Sequence, residues 1–244
     1  MQLNSFSHNS KIIVFGASGA IGEAIVNEFL EFSTVEKIYA ISRSSKKFDD
    51  QKVITKFFDY NDENSLKTLA DEINQEIDIV FIATGLLHDE NLQPEKSIRD
   101  LNINNLQQNF LVNTIGPALI AKYFLSKLKK DSKAVFASIS ARVSSISDNQ
   151  LGGWYGYRAS KSALNMIIKN LAIENNRQNN QKIIIGLHPG TVQSKLSQPF
   201  TKNYDPNKLF TPQFSAKCLI KVLENLQKED SGKIFAWDQQ EIAP

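Results

Sequence analysis

Two rhythms of apolar residues alternate along this chain. Short unbroken runs such as Ile12-Ile13-Val14-Phe15 and Ile183-Ile184-Ile185 lack a polar partner face, as strands buried on both sides require. Segments of this kind predict strands over 11–15, 37–42, 54–58, 77–83, 133–138, 182–187 and 233–236. Between them, apolar residues at three- and four-residue steps predict helices over 21–32, 65–75, 105–129, 156–175 and 214–226. Strict alternation of the two predicts an α/β fold: one doubly wound parallel sheet of about seven strands with helices on both faces. The long irregular stretch 189–212 reads as a substrate loop or as plain surface chain.

Composition narrows the ligand. With 244 residues, 41% hydrophobic and 22% charged, one domain over 1–244 can bury a sizeable core, and 1–10 carry no pattern and are expected to be flexible. A net charge of +2, with only the short 43–47 stretch concentrating basic residues, suggests neither nucleic acid nor membrane as partner. No basic segment followed by an apolar run opens the chain, and no apolar stretch nears ~20 residues, so a cytoplasmic location is expected. Three scattered histidines and one cysteine indicate no metal site. Cys218, at helical spacing among Phe214, Leu219, Ile220 and Leu223, reads as a packed residue rather than a reactive thiol. What remains is a small-molecule ligand.

The first strand runs straight into Gly16-Ala17-Ser18-Gly19-Ala20-Ile21-Gly22, after which helical spacing begins. Glycines there allow a tight turn, a close approach of backbone to a pyrophosphate, and tight helix-on-sheet packing. The helix N-terminus adds N–H groups and partial positive charge, which makes the turn a dinucleotide site and the fold Rossmann-type. The second strand ends Ser42-Arg43-Ser44 with no carboxylate. Arg43 can grip a 2′-phosphate with its planar fork, which favours NADP(H) over NAD(H), or it is a solvated loop charge. Asp59 either accepts from an adenine amino group or serves as a turn residue.

Tyr157-Arg158-Ala159-Ser160-Lys161 opens the helix over 156–175 and sets Tyr157 and Lys161 one turn apart on one face. A phenol with an ordinary pKa of about 10 exchanges protons poorly near neutrality, and an adjacent ammonium stabilises its phenolate. Moving that pKa to about 7 takes roughly 4 kcal/mol of differential stabilisation. Pro117, four residues after Asn113, has no N–H and leaves the Asn113 carbonyl without its helical partner. That carbonyl either holds a water on a path to Lys161 or sits at a kink and meets another donor.

With these residues in place, the chain resembles the short-chain dehydrogenase/reductase family over nearly its whole length. The matching features are the glycine turn, Asp59, Ala83-Thr84-Gly85, Asn113, the serine-rich end of the fifth strand, Tyr157 with Lys161, and Pro189-Gly190. The resemblance implies an oxidoreductase moving a hydride between nicotinamide and a carbonyl or alcohol. Tyr157 is then the acid/base, Lys161 lowers its pKa and holds the nicotinamide ribose, a serine orients the substrate oxygen, and Asn113 supports a proton relay. Cofactor contacts are implied from Gly16, Ser18, Gly19, Ala20, Ile21 and Gly22, from Ser42, Arg43, Ser44 and Asp59, from Ala83, Thr84 and Gly85, and from Pro189, Gly190 and Val192, besides Tyr157 and Lys161. A homodimer or homotetramer is also implied, and helices 105–129 and 156–175 have apolar surface for it. Within the family, Ser-Ala-Arg-Val at 140–143, Gly-Gly-Trp-Tyr at 152–155 and Phe-Ala-Trp-Asp at 235–238 resemble the C-factor or cell-signalling branch.

The orienting serine stays open. Ser140 matches the family's strand-end pattern but stands seventeen residues before Tyr157; Ser144 stands at the usual thirteen. Turn formers over 148–153 can hold an insertion that reconciles Ser140. Phe15 replaces a usual threonine, and Ile82-Ala83-Thr84-Gly85 replaces an Asn-Asn-Ala-Gly signature; both remove side-chain hydrogen bonds that brace turns. His188 reads as a packed strand-end histidine, His88 as a substrate-facing or surface residue, and Trp154 and Tyr155 as pocket or packing residues. Two other classes compete: a dinucleotide-binding signalling or regulatory protein with little turnover, which needs no Tyr/Lys pair, and a nucleotide-sugar epimerase, which needs a substrate domain.

Overall fold

Strand β1 (Ser10–Phe15) lies at the middle of the sheet in a computed structural model that describes residues 2–44, 46–178 and 180–244. It is followed by α1 (Ala20–Leu30), β2 (Val35–Ser42), β3 (Val53–Phe57), α2 (Glu63–Glu72), β4 (Ile79–Ile82), α3 (Ile103–Phe110) and α4 (Gly116–Phe124). The remaining elements are β5 (Ala134–Ile139), α5 (Tyr155–Asn176), β6 (Lys182–His188), β7 (Thr191–Val192), β8 (Leu209–Phe210), α6 (Pro212–Asn225) and β9 (Ile234–Ala236). Seven strands form one parallel sheet in the order β3-β2-β1-β4-β5-β6-β9, while β7 and β8 form a separate parallel pair.

Alternate residues of β1 explain the unbroken apolar run. Ile12 and Val14 join a core with Ile25 and Phe29 of α1 and Leu219 and Leu223 of α6. Ile13 and Phe15 join a second core on the opposite face with Leu66 of α2, Ile120 of α4 and Leu164 of α5. Both faces of the sheet are therefore covered, as parallel sheets require. The chain adds β2 and β3 on one side of β1 and then crosses to add β4 on the other. A crevice opens outside the carboxyl ends of β1 and β4 at that reversal, the place where such sheets bind ligands.

All seven expected strands of the main sheet occur, with ends moved by at most two residues. Three expectations need correction. The continuous helix over 105–129 is instead α3, a π-turn at Leu111–Ile115, α4 and a 3-10 turn at Leu125–Lys127. Pro117 cannot donate to the Asn113 carbonyl, and the ladder widens just before it: the Gly116 N–H reaches back five residues to the Leu111 carbonyl. The N-terminal segment is not loose over its described part, because Leu3 and Phe6 are buried and Glu224 of α6 accepts from the Asn4 N–H (3.1 Å) and the Ser5 hydroxyl (3.0 Å); Met1 lies outside the described residues, as does Ser45 of the basic stretch. The 189–212 stretch is not wholly irregular either, since β7 and β8 pair Thr191 with Leu209 and Val192 with Phe210 and so fasten its two ends together. Cys218 is half-buried on α6, as expected of a packed residue.

Helix α1 comes hard against the turn after β1 at Gly22, where an added Cβ would stand 2.1 Å from the Gly16 carbonyl oxygen. Backbone on both sides leaves nothing soft to yield. Gly22→Ala is expected to lower the unfolding free energy by about 3 kcal/mol or more, read from urea denaturation of the folded fraction.

Candidate active site

The turn after β1 is fixed from beneath. Gly16 adopts φ +79°, and its N–H and that of Ala17 both donate to the Ile41 carbonyl of β2, at 2.8 and 3.1 Å. Gly19 then stands as N-cap of α1 with no side-chain cap, so first-turn N–H groups are left for another acceptor. Ser18, Gly19, Ala20 and Ile21 line a cavity of about 700 Å³ along the carboxyl ends of the strands. Ala83, Thr84 and Gly85 after β4 line it too, as do Pro189, Gly190 and Val192 after β6.

Beyond β2, the Ser42 hydroxyl donates to the Ser44 carbonyl (2.8 Å), while Arg43 is exposed and forms no ion pair among the described residues. Asp59 holds a turn: its Oδ1 accepts from the Asn61 N–H and Nδ2, both at 3.1 Å. Gly16, Gly22, Ser42, Arg43, Ser44 and Asp59 are not in the cavity wall itself. The first two shape the turn, and the others stand at the ends of β2 and β3.

Around α5, the π-turn sends two successive side chains to one residue. The Asn113 Nδ2 reaches the Ser160 hydroxyl (3.1 Å), and the Thr114 hydroxyl donates to the Ser160 carbonyl (2.7 Å). Ser160 in turn donates to the Tyr157 carbonyl (2.9 Å). The Asn113 amide also accepts from the Leu86 N–H and donates to the Leu86 carbonyl, each at 2.8 Å, and its Nδ2 lies 3.3 Å from the Asn109 Oδ1. Asn113 thus ties the segment after β4 to the helix carrying Tyr157 and Lys161. Lys161 is fully buried and donates to the Ile139 carbonyl at the end of β5 (2.7 Å).

The two serines are separated by environment. Ser140, Tyr157 and Lys161 share the cavity wall; Ser144 does not. Ser144 turns back to the Ala141 carbonyl (2.5 Å). Asn165 bridges them, accepting from Ser140 (2.6 Å) and donating to Ser144 (2.8 Å). The sequence reading missed Asn165, although it continues the four-residue step of Tyr157 and Lys161 along one face of α5.

A family model described as short chain dehydrogenase matches residues 10–205. The chain belongs to the short-chain dehydrogenase family. Among curated relatives, C-signal of Myxococcus xanthus is 26% identical over 60% of this chain and 82% of its own length. Among solved structures, carbonyl reductase Sniffer of Drosophila melanogaster superposes with a TM-score of 0.85 at 20% identity, over 98% of this chain and 100% of the other. The NADPH-bound carbonyl reductase from chicken fatty liver superposes with a TM-score of 0.84 at 23% identity, over 98% of this chain and 96% of the other. At these identities the structures speak for the fold.

In this short-chain dehydrogenase, Phe15 at the position of the usual threonine fills the core instead. Its ring meets Phe58 and Phe124 edge-on, each at 5.3 Å. The electrostatics also depart from expectation. Burial alone pushes the Tyr157 phenol up to about 12 and Lys161 down to about 7, with no lowering of Tyr157 by Lys161. The Lys161 ammonium is engaged by Ile139 rather than by the phenol. His188 lines the cavity with its Nδ1 buried and unpartnered, and burial lowers it to about 4, so it is neutral near pH 7.

These shifts set a pH dependence. Lys161 titrates near 7 when folded and near 10.5 when unfolded, so between those values the unfolded chain holds the extra proton. The contribution is complete above 10.5 and is lost as pH falls toward 7. Lys133, lowered to about 8 by burial, acts in the same direction. The urea midpoint is therefore expected to rise from about pH 7.5 to about pH 9.5, with a shallower rise in Lys161→Met.

Proposed function

We propose that this chain is an NADP(H)-dependent oxidoreductase that reduces a carbonyl compound or oxidises the corresponding alcohol. The observation that carries the reading is a single cavity joining an uncapped helix N-terminus after a glycine turn to Ser140, Tyr157 and Lys161. The turn fits a dinucleotide, because Gly16 and Gly22 leave no room for a Cβ and the first turn of α1 has no side-chain cap. Arg43, exposed between Ser42 and Ser44, suits a 2′-phosphate, hence NADP(H) ahead of NAD(H). Asp59, Ala83, Thr84, Gly85, Pro189, Gly190 and Val192 complete the cradle. The bound nicotinamide supplies or accepts the hydride.

The chain's own groups handle the proton and the geometry. Tyr157 gives its phenolic proton to the substrate oxygen on reduction and takes it back on oxidation. Ser140, whose hydroxyl donates to Asn165 in this state, orients that oxygen once it turns its proton to the substrate. Lys161, freed from the Ile139 carbonyl, is the cation that brings Tyr157 down from its buried value and holds the ribose. Asn113 braces the site through Leu86 and Ser160, and its carbonyl, denied a bond from Pro117, is the acceptor for a proton relay. The 189–212 loop closes over the substrate. Kinship with the C-factor branch, a cytoplasmic location and a homodimer or homotetramer belong to the same proposal; exposed Ile115 of the π-turn and Met166 and Ile173 of α5 support association. No helix among the described residues is long and apolar enough to cross a membrane.

Purified protein is expected to oxidise NADPH with at least one aldehyde, ketone or quinone from a panel. On such a substrate Tyr157→Phe is expected to retain NADPH binding and lose about a hundredfold or more in turnover. Substantial turnover in that variant sinks the assignment of the proton donor. Arg43→Ala is expected to weaken NADPH about tenfold and leave NADH nearly unchanged, measured as dissociation constants.

A further inference from the structure

Three consecutive residues ahead of α5 are left-handed: Gly152 (φ +62°), Gly153 (φ +65°) and Trp154 (φ +49°). A bulky residue holds that conformation only where its surroundings impose it, and such outliers gather at ligand sites. Here the surroundings are identifiable. The Trp154 N–H donates to the Glu95 carbonyl (2.5 Å), and the Glu95 carboxylate accepts the Gly156 N–H in the first turn of α5 (3.1 Å). From the other side, Arg158 donates to the Gly153 carbonyl and to the Val143 carbonyl, each at 3.1 Å. Glu95 is 2% exposed, and its second carboxylate oxygen has no partner. A buried acidic side chain is thus committed to one helix terminus, sixty-one residues away in sequence, where N–H groups need an acceptor.

What the bracket positions is a ring. Trp154 lines the cavity beside Tyr157, with ring centroids 6.2 Å apart and planes at 81°. It meets Phe200 of the 189–212 loop at 5.0 Å, and Phe200 meets His88 at 5.5 Å. His88 is anchored in turn, its Nε2 lying 3.2 and 3.1 Å from the Lys195 and Leu196 carbonyls of the same loop. The wall next to the phenol is therefore aromatic on two elements, and each ring is held from behind.

We propose that Trp154, held by Glu95, is the specificity-determining residue of the substrate subsite, and that this subsite takes flat conjugated carbonyl compounds, aryl ketones and aryl aldehydes, ahead of saturated ones. The inference rests on the carbonyl chemistry proposed above. Aromatic faces and edges match a flat conjugated ring at stacking distances, whereas a puckered ring of equal size keeps its axial hydrogens between itself and the wall. Glu95 acts through Trp154 and is a positioning residue.

The test compares acetophenone with cyclohexyl methyl ketone by calorimetric binding to the full chain saturated with NADP⁺, where neither ketone can be reduced. Acetophenone is expected to bind about tenfold more tightly, and Trp154→Leu to bring the pair within about threefold. Glu95→Ala is expected to lose most of the preference and Glu95→Gln, which keeps an acceptor for the Gly156 N–H, to retain it. Should Trp154→Leu not fold, the two Glu95 variants decide the matter from behind the ring. Equal binding of the two ketones, or a preference unchanged in Trp154→Leu or in Glu95→Ala, overturns the inference. A preference that follows Trp154 in a chain that turns over no carbonyl supports the subsite and removes the proposed reaction instead.

Discussion

Ser160 is the residue on which the site's geometry turns. It sits between Tyr157 and Lys161 and is gripped at its hydroxyl by Asn113 and at its carbonyl by Thr114. Both hands come from one π-turn, and that turn exists because Pro117 cannot close the ordinary helical bond to Asn113. Asn113 also holds Leu86, so the segment after β4 and the first turns of α5 are tied together. A proline in the wrong place for a regular helix is thereby converted into the joint between the segment after β4 and the first turns of α5.

Burial is the opposing constraint. Lys161 is fully buried and Tyr157 partly so, and desolvation favours the neutral form of each, which raises the phenol and lowers the amine. The Ile139 carbonyl satisfies the amine in this state. In the proposed reaction, proton exchange at Tyr157 needs positive charge beside the phenol, which a protonated Lys161 would bring and an oxidised nicotinamide ring would add to. The His188 Nδ1 in the same wall is likewise buried without a protein partner.

Much of this was legible in the chain itself, for physical reasons. Runs such as Ile183-Ile184-Ile185 announce two-sided burial, and the glycine turn announces close backbone approach; both are local and both held in the fold. The π-turn was hidden because one widened turn hardly disturbs apolar spacing, although Pro117 signalled that a bond was missing. The fastening of Asn4 and Ser5 to Glu224 and the bracket of Glu95 on α5 were invisible because each joins positions far apart in sequence. The excess of four residues between Ser140 and Tyr157 over the usual spacing has its counterpart in the left-handed run at 152–154, which Gly152-Gly153 only hinted at. That Ser140 and not Ser144 lines the cavity was hidden too, because the wall is assembled from segments far apart in sequence.

The central claim, that the joined cavity performs hydride chemistry rather than holding a dinucleotide idle, is tested most directly by isotope transfer. Protein is incubated with a carbonyl compound and NADPH deuterated at C4 of the nicotinamide, once for each face, and the alcohol is examined by mass spectrometry. The account predicts deuterium on the carbinol carbon from one face only, with the hydroxyl proton drawn from solvent by way of Tyr157. Tight NADPH binding with no deuterium reaching any carbonyl carbon from either face would contradict it.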